Sequence, residues 1–305
     1  MTGTIERKLL ATKCEIESLG YGRVISPGPE EYAGSFGIIG RGDYGRLNPG
    51  LRASEAQLKG SGTNLVALFN RYLTLSLLHT FDPQAASCRL PESVVLLYER
   101  DLLRIERQLD EQPDEFYRLG NDAFVKDLAI LSHRLIPVGA EYVLPDSGVP
   151  RSLLFRRGPA QFFRCLRVCM FQCGGFSHYF ELHAHVLALE GFNPDGWLDT
   201  YMRLAELLEL NPAYKGITSS SWFLDPALGR ISPRLSYLQE IPSAHGATLL
   251  FSGYDESGET GALAKSISRR RLYEKGEYVP AIYTRVWPRK ELIGWRKQRH
   301  GALLN

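Results

Sequence analysis

Apolar residues recur at three- and four-residue spacing through three stretches of the first half of the chain. These are "NLVALFNRYLTLSLL" (64–78), "ESVVLLYERDLLRIERQL" (92–109) and "DEFYRLGNDAFVKDLAILSHRLI" (114–136). That spacing is the period of an amphipathic helix. From about residue 150 the pattern changes, and short β-type runs alternate with helical ones. "RSLLFRR" precedes "PAQFFRCLRVCMFQC", "HYFELHAHV" precedes "NPDGWLDTYMRLAELLEL", and "YKGITSSSWFL" precedes "SPRLSYLQEI". "GATLLFSG" precedes "TGALAKSISRRRLYEKG", and "YVPAIYTRVW" precedes "PRKELIGWRKQ". Turn residues separate them: Gly174-Gly175, Asn211-Pro212, Gly253 and Gly276. The pattern predicts an α/β protein, with a helical N-terminal part followed by an alternating, layered β/α domain.

Residues 20–62 are rich in glycine, with Pro27, Pro29 and Pro49 interspersed, and hold "GIIGRGDYG" (37–45). No strand leads into that motif and its spacing is not the dinucleotide fingerprint, so it reads as a lid-like loop. The expected organisation is a Gly-rich lead over 1–62, a helical part over 63–145, and an α/β catalytic domain over 146–305.

Composition narrows the function classes. Of 305 residues, 44% are hydrophobic and 23% charged, and the formal net charge is +2. This is a globular composition, with no bulk charge for nucleic acid. The longest apolar run is interrupted by Asn70, Arg71 and His79, so no membrane partner is expected. The N-terminus lacks the apolar core of a signal peptide, and the expected location is cytoplasmic. Charge is unevenly placed. Glu92–Asp122 holds nine acids and four bases, whereas Lys265–Arg299 holds eleven Lys and Arg against three Glu. With Arg151, Arg156, Arg157, Arg164 and Arg167, the α/β part gains a positive side suited to an acidic partner. Cys165, Cys169 and Cys173 fall four apart and share a helix face. They read as a packed core stripe, since cluster ligands sit in loops. His79 and His133 lie in apolar helical runs and read as core residues.

The first candidate site is "YFELHAHVLALEG" (179–191). On a strand, Phe180, Leu182, Ala184 and Val186 form an apolar face, while Tyr179, Glu181, His183 and His185 form the other. Two imidazoles and a carboxylate in a row suit general acid/base work. The same residues, with Glu181 or Glu190 as the carboxylate, suit a Zn or Fe site of the two-histidine type. That would make the chain a mononuclear metal-dependent oxygenase or hydrolase. The bland alternative is a solvated polar sheet face.

The second is "GITSSSWFLDPALGRISPRLSYL" (216–238). A strand ends at Ser219, Ser220, Ser221 and Trp222, and Asp225 turns the chain with Pro226. Ser232 and Pro233 then read as the cap and first residue of a helix. Arg234 in that first turn, with free backbone N–H groups, suits an anion. Strand ends that meet helix starts are where open α/β sheets bind ligands.

The end of the chain, over residues 215–300, resembles the GNAT N-acyltransferase superfamily. The resemblance rests on "GATLLFSG", on the helix holding "SRRRLYEKGEY", and on the strand "AIYTRVW". Leu272, Tyr273, Gly276 and Tyr278 approximate the family's L-Y-x-x-x-G-F motif, with one residue fewer before the glycine. The family's Gly-rich pyrophosphate loop is absent, and "PALGRISPR" stands in its place. The resemblance implies transfer of an acyl group from a thioester, carried by CoA or by an acidic carrier protein, to an amine on a small-molecule substrate. It implies Tyr273 as the acid for the departing thiolate, the serine run as a donor-binding strand, and Glu181, His183 or His185 as the base. A third class is a non-catalytic protein that recruits an acidic partner through its basic C-terminus.

Overall fold

The computed structural model describes residues 2–25, 44–45, 49–60, 63–255, 261–264 and 266–303. Most of the Gly-rich stretch, including most of "GIIGRGDYG", lies outside the described residues. The architecture is mixed α/β, and the chain divides into two compact units. The first comprises Met1–Val138, Tyr142–Leu144 and Ala184–Leu189; the second comprises Gly139–Glu141, Pro145–His183 and Glu190–Asn305.

The first unit is built of α1 (Thr2–Ser18), α2 (Pro49–Lys59), α3 (Thr63–His79), α4 (Glu92–Glu111) and α5 (Asp122–Leu131). β1 (Ile136–Pro137) then pairs antiparallel with the start of β2 (Tyr142–Gly148). The sequence shows why these helices form and stop. Asn121 caps α5 by accepting from Ala123 N at 3.0 Å. Along α4 the buried stripe is Val94, Tyr98, Asp101, Ile105, Gln108 and Leu109, at the helical period. Two of those six residues are polar, so this core carries its own hydrogen-bond network. His79 is exposed rather than core. His133 is half-buried, its ring 4.6 Å from that of Phe81 and 5.7 Å from that of Tyr98.

The second unit holds the rest of β2, α6 (Gly158–Leu166), β3 (Ser177–His183), α7 (Pro194–Leu210) and β4 (Gly216–Ser221). It continues with α8 (Leu228–Ile231), α9 (Tyr237–Ala244), β5 (Thr248–Tyr254), α10 (Gly261–Ala264), α11 (Ile267–Glu274), β6 (Ala281–Pro288) and α12 (Arg289–Leu303). Its strands take the order β2-β3-β4-β6-β5. β3 and β4 are parallel, joined through α7, while β6 is antiparallel to both β4 and β5. "RSLLFRR" forms a 3-10 turn over Arg151–Phe155 instead of a strand, since only Leu153 of it is buried and it has no alternating face to offer a sheet.

Helices cover both faces of this sheet. On one, Cys165, Val168 and Cys169 pack with Tyr179 of β3, Leu250 of β5 and Val286 of β6. Cys165 and Cys169 are thus core residues of α6 and of the π-helical segment Arg167–Gln172 that follows it. On the other face, Trp287 of β6 meets Tyr201 of α7 at 5.3 Å and Trp295 of α12 at 5.9 Å between ring centres.

Candidate active site

β3 sets the site by alternation. Phe180 and Leu182 are buried on one side, and the Phe180 ring stacks on Tyr214 at 3.9 Å. On the other side Tyr179 enters the core and donates to Gly175 O at 2.8 Å. Farther along that side, Glu181 and His183 remain about a fifth exposed, with His183 Nε2 3.9 Å from Glu181 Oε2. Ser147 of β2 donates to the same carboxylate oxygen.

The neighbouring strand continues the polar face. Glu181 is in register with Thr218 and Thr218 with Val286, so Thr218, Ser220 and Thr284 share the face of Glu181 and His183. Ser220 and Ser252 each lie 2.7 Å from the Thr284 hydroxyl. This row crosses β4, β6 and β5, and Ser220 opens it to solvent. β3 and β4 pair in register at Phe180–Ile217 and Glu181–Thr218, and β3 runs to His183 and β4 to Ser221. The carboxyl ends of two adjacent parallel strands are the position at which open α/β sheets take ligands.

His185 does not join this row. The strand ends at His183, so the alternation expected through His185 and Val186 stops two residues early, and Val186 is 51% exposed instead of core. His185 belongs to the first unit and is fully buried. Its Nδ1 accepts from Leu187 N at 3.2 Å and its Nε2 lies 3.0 Å from Asp127 Oδ1. These partners assign the Nε2–H tautomer, with the Nδ1 lone pair engaged by the Leu187 amide. Glu190 is exposed in a turn, where its carbonyl accepts from Asn193. Among the described residues no three His, Cys, Asp or Glu side chains are grouped to hold a metal ion. The expected set of His183, His185 and Glu181 is therefore not assembled.

His185 is instead part of a buried polar network that the sequence did not reveal. Asp127 also accepts from Arg104 Nη2 at 2.7 Å, Arg104 Nε reaches Asp101 at 3.2 Å, and Tyr142 donates to Asp101 at 2.8 Å. Burial raises the Asp101 carboxyl above its ordinary range, although Arg104 and Tyr142 pull it down.

The second set divides by strand face and turn. Ser219 is buried on the opposite face from Ser220, paired in register with Arg285. Arg285, itself buried, donates to Tyr201 Oη at 2.8 Å and lies 5.6 Å over the Trp197 ring. Burial pushes the Tyr201 hydroxyl up to about 12, with Arg285 opposing the rise. Ser221 caps the following 3-10 turn, accepting from Phe223 N at 3.1 Å. Trp222 is half-buried under Arg269, whose guanidinium carbon lies 4.5 Å from its ring centre. Asp225, expected to bind a ligand, is buried and accepts from Ala227 N at 2.9 Å, Tyr278 Oη at 3.1 Å and Ala281 N at 3.1 Å. Its carboxylate is committed to holding the turn. Burial first, then Asp225, raises the Tyr278 hydroxyl.

The helix expected from Ser232 and Pro233 is a three-residue 3-10 turn, Pro233–Leu235, with no side-chain cap. The Ser232 hydroxyl accepts from Arg269 Nη1 at 3.3 Å instead. Arg234 is exposed on that turn, without the run of free amides an anion site needs. Tyr273 is half-buried on α11. The helix then ends at Gly276, φ +71°, with Gly276 N bonded to Tyr273 O at 2.9 Å and Glu277 N to Leu272 O at 2.9 Å. This is a Schellman C-cap, which explains the glycine of the L-Y-x-x-G stretch without reference to a ligand.

The C-terminal basic run is less available than its count suggests. Arg269 and Arg285 are buried. Arg289 is turned onto the carbonyls of Leu208 and Asn211, and Arg296 pairs with Glu206 and Glu209 at 2.7 and 2.5 Å. Among the described residues no helix is long and apolar enough to cross a membrane.

No family model matches the chain. No curated protein matches it. Among solved structures, the chain is similar to "The crystal structure of acyltransferase in complex with decanoyl-CoA", at 16% identity and a TM-score of 0.47, over 88% of this chain and 83% of that one. A likeness this loose assigns neither family nor activity to this chain.

Proposed function

We propose that the second unit transfers an acyl group from a thioester to an amine in the manner of a GNAT-like N-acyltransferase. The observation that carries the reading is the row of Glu181, His183 and Ser220 on one face at the carboxyl ends of the adjacent parallel strands β3 and β4. His183 takes a proton from the attacking amine, and Glu181 orients the ring and stabilises its cation. The amine nitrogen bonds to the acyl carbon, the C–S bond breaks, and the leaving thiolate receives a proton from Tyr273. Ser220 and the Thr284 hydroxyl behind it supply hydrogen-bond donors to the donor's amide groups or to the developing oxyanion. The donor is an acyl-CoA or an acyl carrier protein, and the acceptor is a small primary amine.

The test is direct detection of an N-acyl product by mass spectrometry. The purified chain is incubated with primary amines and with acyl-CoA or acyl carrier protein thioesters. An amide formed by the wild-type chain and lost in His183→Gln supports the reading. Thioester cleavage without amide formation, or amide formation untouched by His183→Gln, rejects it.

A further inference from the structure

We propose that the outward face of α6 and its flanking turns docks the protein on an anionic lipid surface. Three large apolar side chains stand out of the protein here: Phe155 is 77% exposed, Phe163 66% and Phe171 80%. Phe155 and Phe163 are joined through Phe162. The Phe155 ring lies 6.0 Å from Phe162, which lies 5.4 Å from Phe163. Phe163, Arg167 and Phe171 follow at four-residue intervals and are exposed, whereas Cys165, Val168 and Cys169 between them are buried.

Arg156, Arg164 and Arg167 are exposed around these rings. None of the three makes an ion pair among the described residues. Between Asp146 and Glu181 the sequence holds five arginines and no acid. This segment itself therefore presents no carboxylate to an approaching anionic surface.

Protruding aromatics with arginines beside them match the interfacial mode of membrane binding. Rings enter the boundary between headgroups and acyl chains, and guanidinium groups meet the phosphates. Exposed rings, with arginines that make no ion pair among the described residues, complement both the acyl boundary and the phosphates of an anionic bilayer. Surface association of this kind requires no spanning helix, and it does not depend on the acyl-transfer reading.

The experiment is co-sedimentation of the full chain with vesicles of phosphatidylcholine, or of phosphatidylcholine mixed with phosphatidylglycerol. Binding is expected to the anionic vesicles only, and to weaken with added salt. Arg164→Gln with Arg167→Gln should weaken it about 25-fold, at about fivefold per charge. Phe155→Ser with Phe171→Ser should weaken it by more than about tenfold. These side chains are exposed, so each variant is expected to keep the wild-type unfolding midpoint. Equal binding to neutral vesicles, no binding to either, or full binding by both variants overturns the proposal. Capture of purified acyl carrier protein without vesicle binding, lost in the same variants, replaces the lipid by an acidic protein.

Discussion

The ring of His185 lies 3.0 Å from the carboxylate of Asp127, and both residues are buried. A histidine two residues past a polar strand face looks like one more member of a site. Here its two nitrogens are spent on Asp127 and on the Leu187 amide. Its role is structural, so His185→Ala should lower the unfolding free energy by about 2 kcal/mol, through a hydrogen bond lost from the buried Asp127 carboxylate. Denaturant melts of wild type and variant check this. An unchanged midpoint would contradict it.

Asp225 makes a parallel case in the second unit. Its carboxylate holds Ala227 N, Ala281 N and the Tyr278 hydroxyl. Asp225→Ala should cost about 3 kcal/mol, because buried donors lose a charged acceptor. Arg234→Ala, on an exposed turn, should stay within about 0.5 kcal/mol of wild type. Thermal melts of the two variants separate a structural carboxylate from a surface charge.

Gly276 tests the C-cap. A Cβ there meets no atom within 4 Å, but φ is +71°. Only backbone strain then opposes a side chain, and Gly276→Ala should cost about 1 kcal/mol, with Gly276→Asn costing less. A loss several times larger would mean that the glycine does more than end α11.

His133 predicts a pH dependence. Burial lowers its pKa below the ordinary value near 6.5, so the folded state prefers the neutral ring. The unfolded chain binds its proton at higher pH than the folded chain does, and stability therefore rises with pH through that window. This contribution is complete above about pH 7 and falls away as pH drops below the unfolded value. His133→Gln should flatten the dependence of the unfolding free energy between about pH 5 and 7. The Asp101 carboxyl, raised by burial, acts in the opposite sense near its own lower range.

Periodicity made the two halves of the chain legible, because buried stripes such as Val94, Tyr98 and Ile105 repeat at the helical period. The β3 alternation was readable as far as His183, where the strand ends. It could not show the stop, since Ala184 to Val186 keep the same polar–apolar rhythm in a loop. Nor could it show the Asp101–Arg104–Asp127–His185 network, whose members are up to 84 positions apart and meet only by folding. Basic residues were countable, but pairing was not: Arg285 is as cationic in sequence as Arg164, yet one is buried beside Tyr201 and the other exposed.

The measurement that bears most directly on the proposed role of His183 is kcat/KM for an acyl thioester in the presence of amine, for wild type and His183→Gln. The unfolding midpoint of each is measured alongside. A fall of about a hundredfold or more at an unchanged midpoint is the predicted result, the scale of a lost general base. Equal kcat/KM in the two proteins would contradict it.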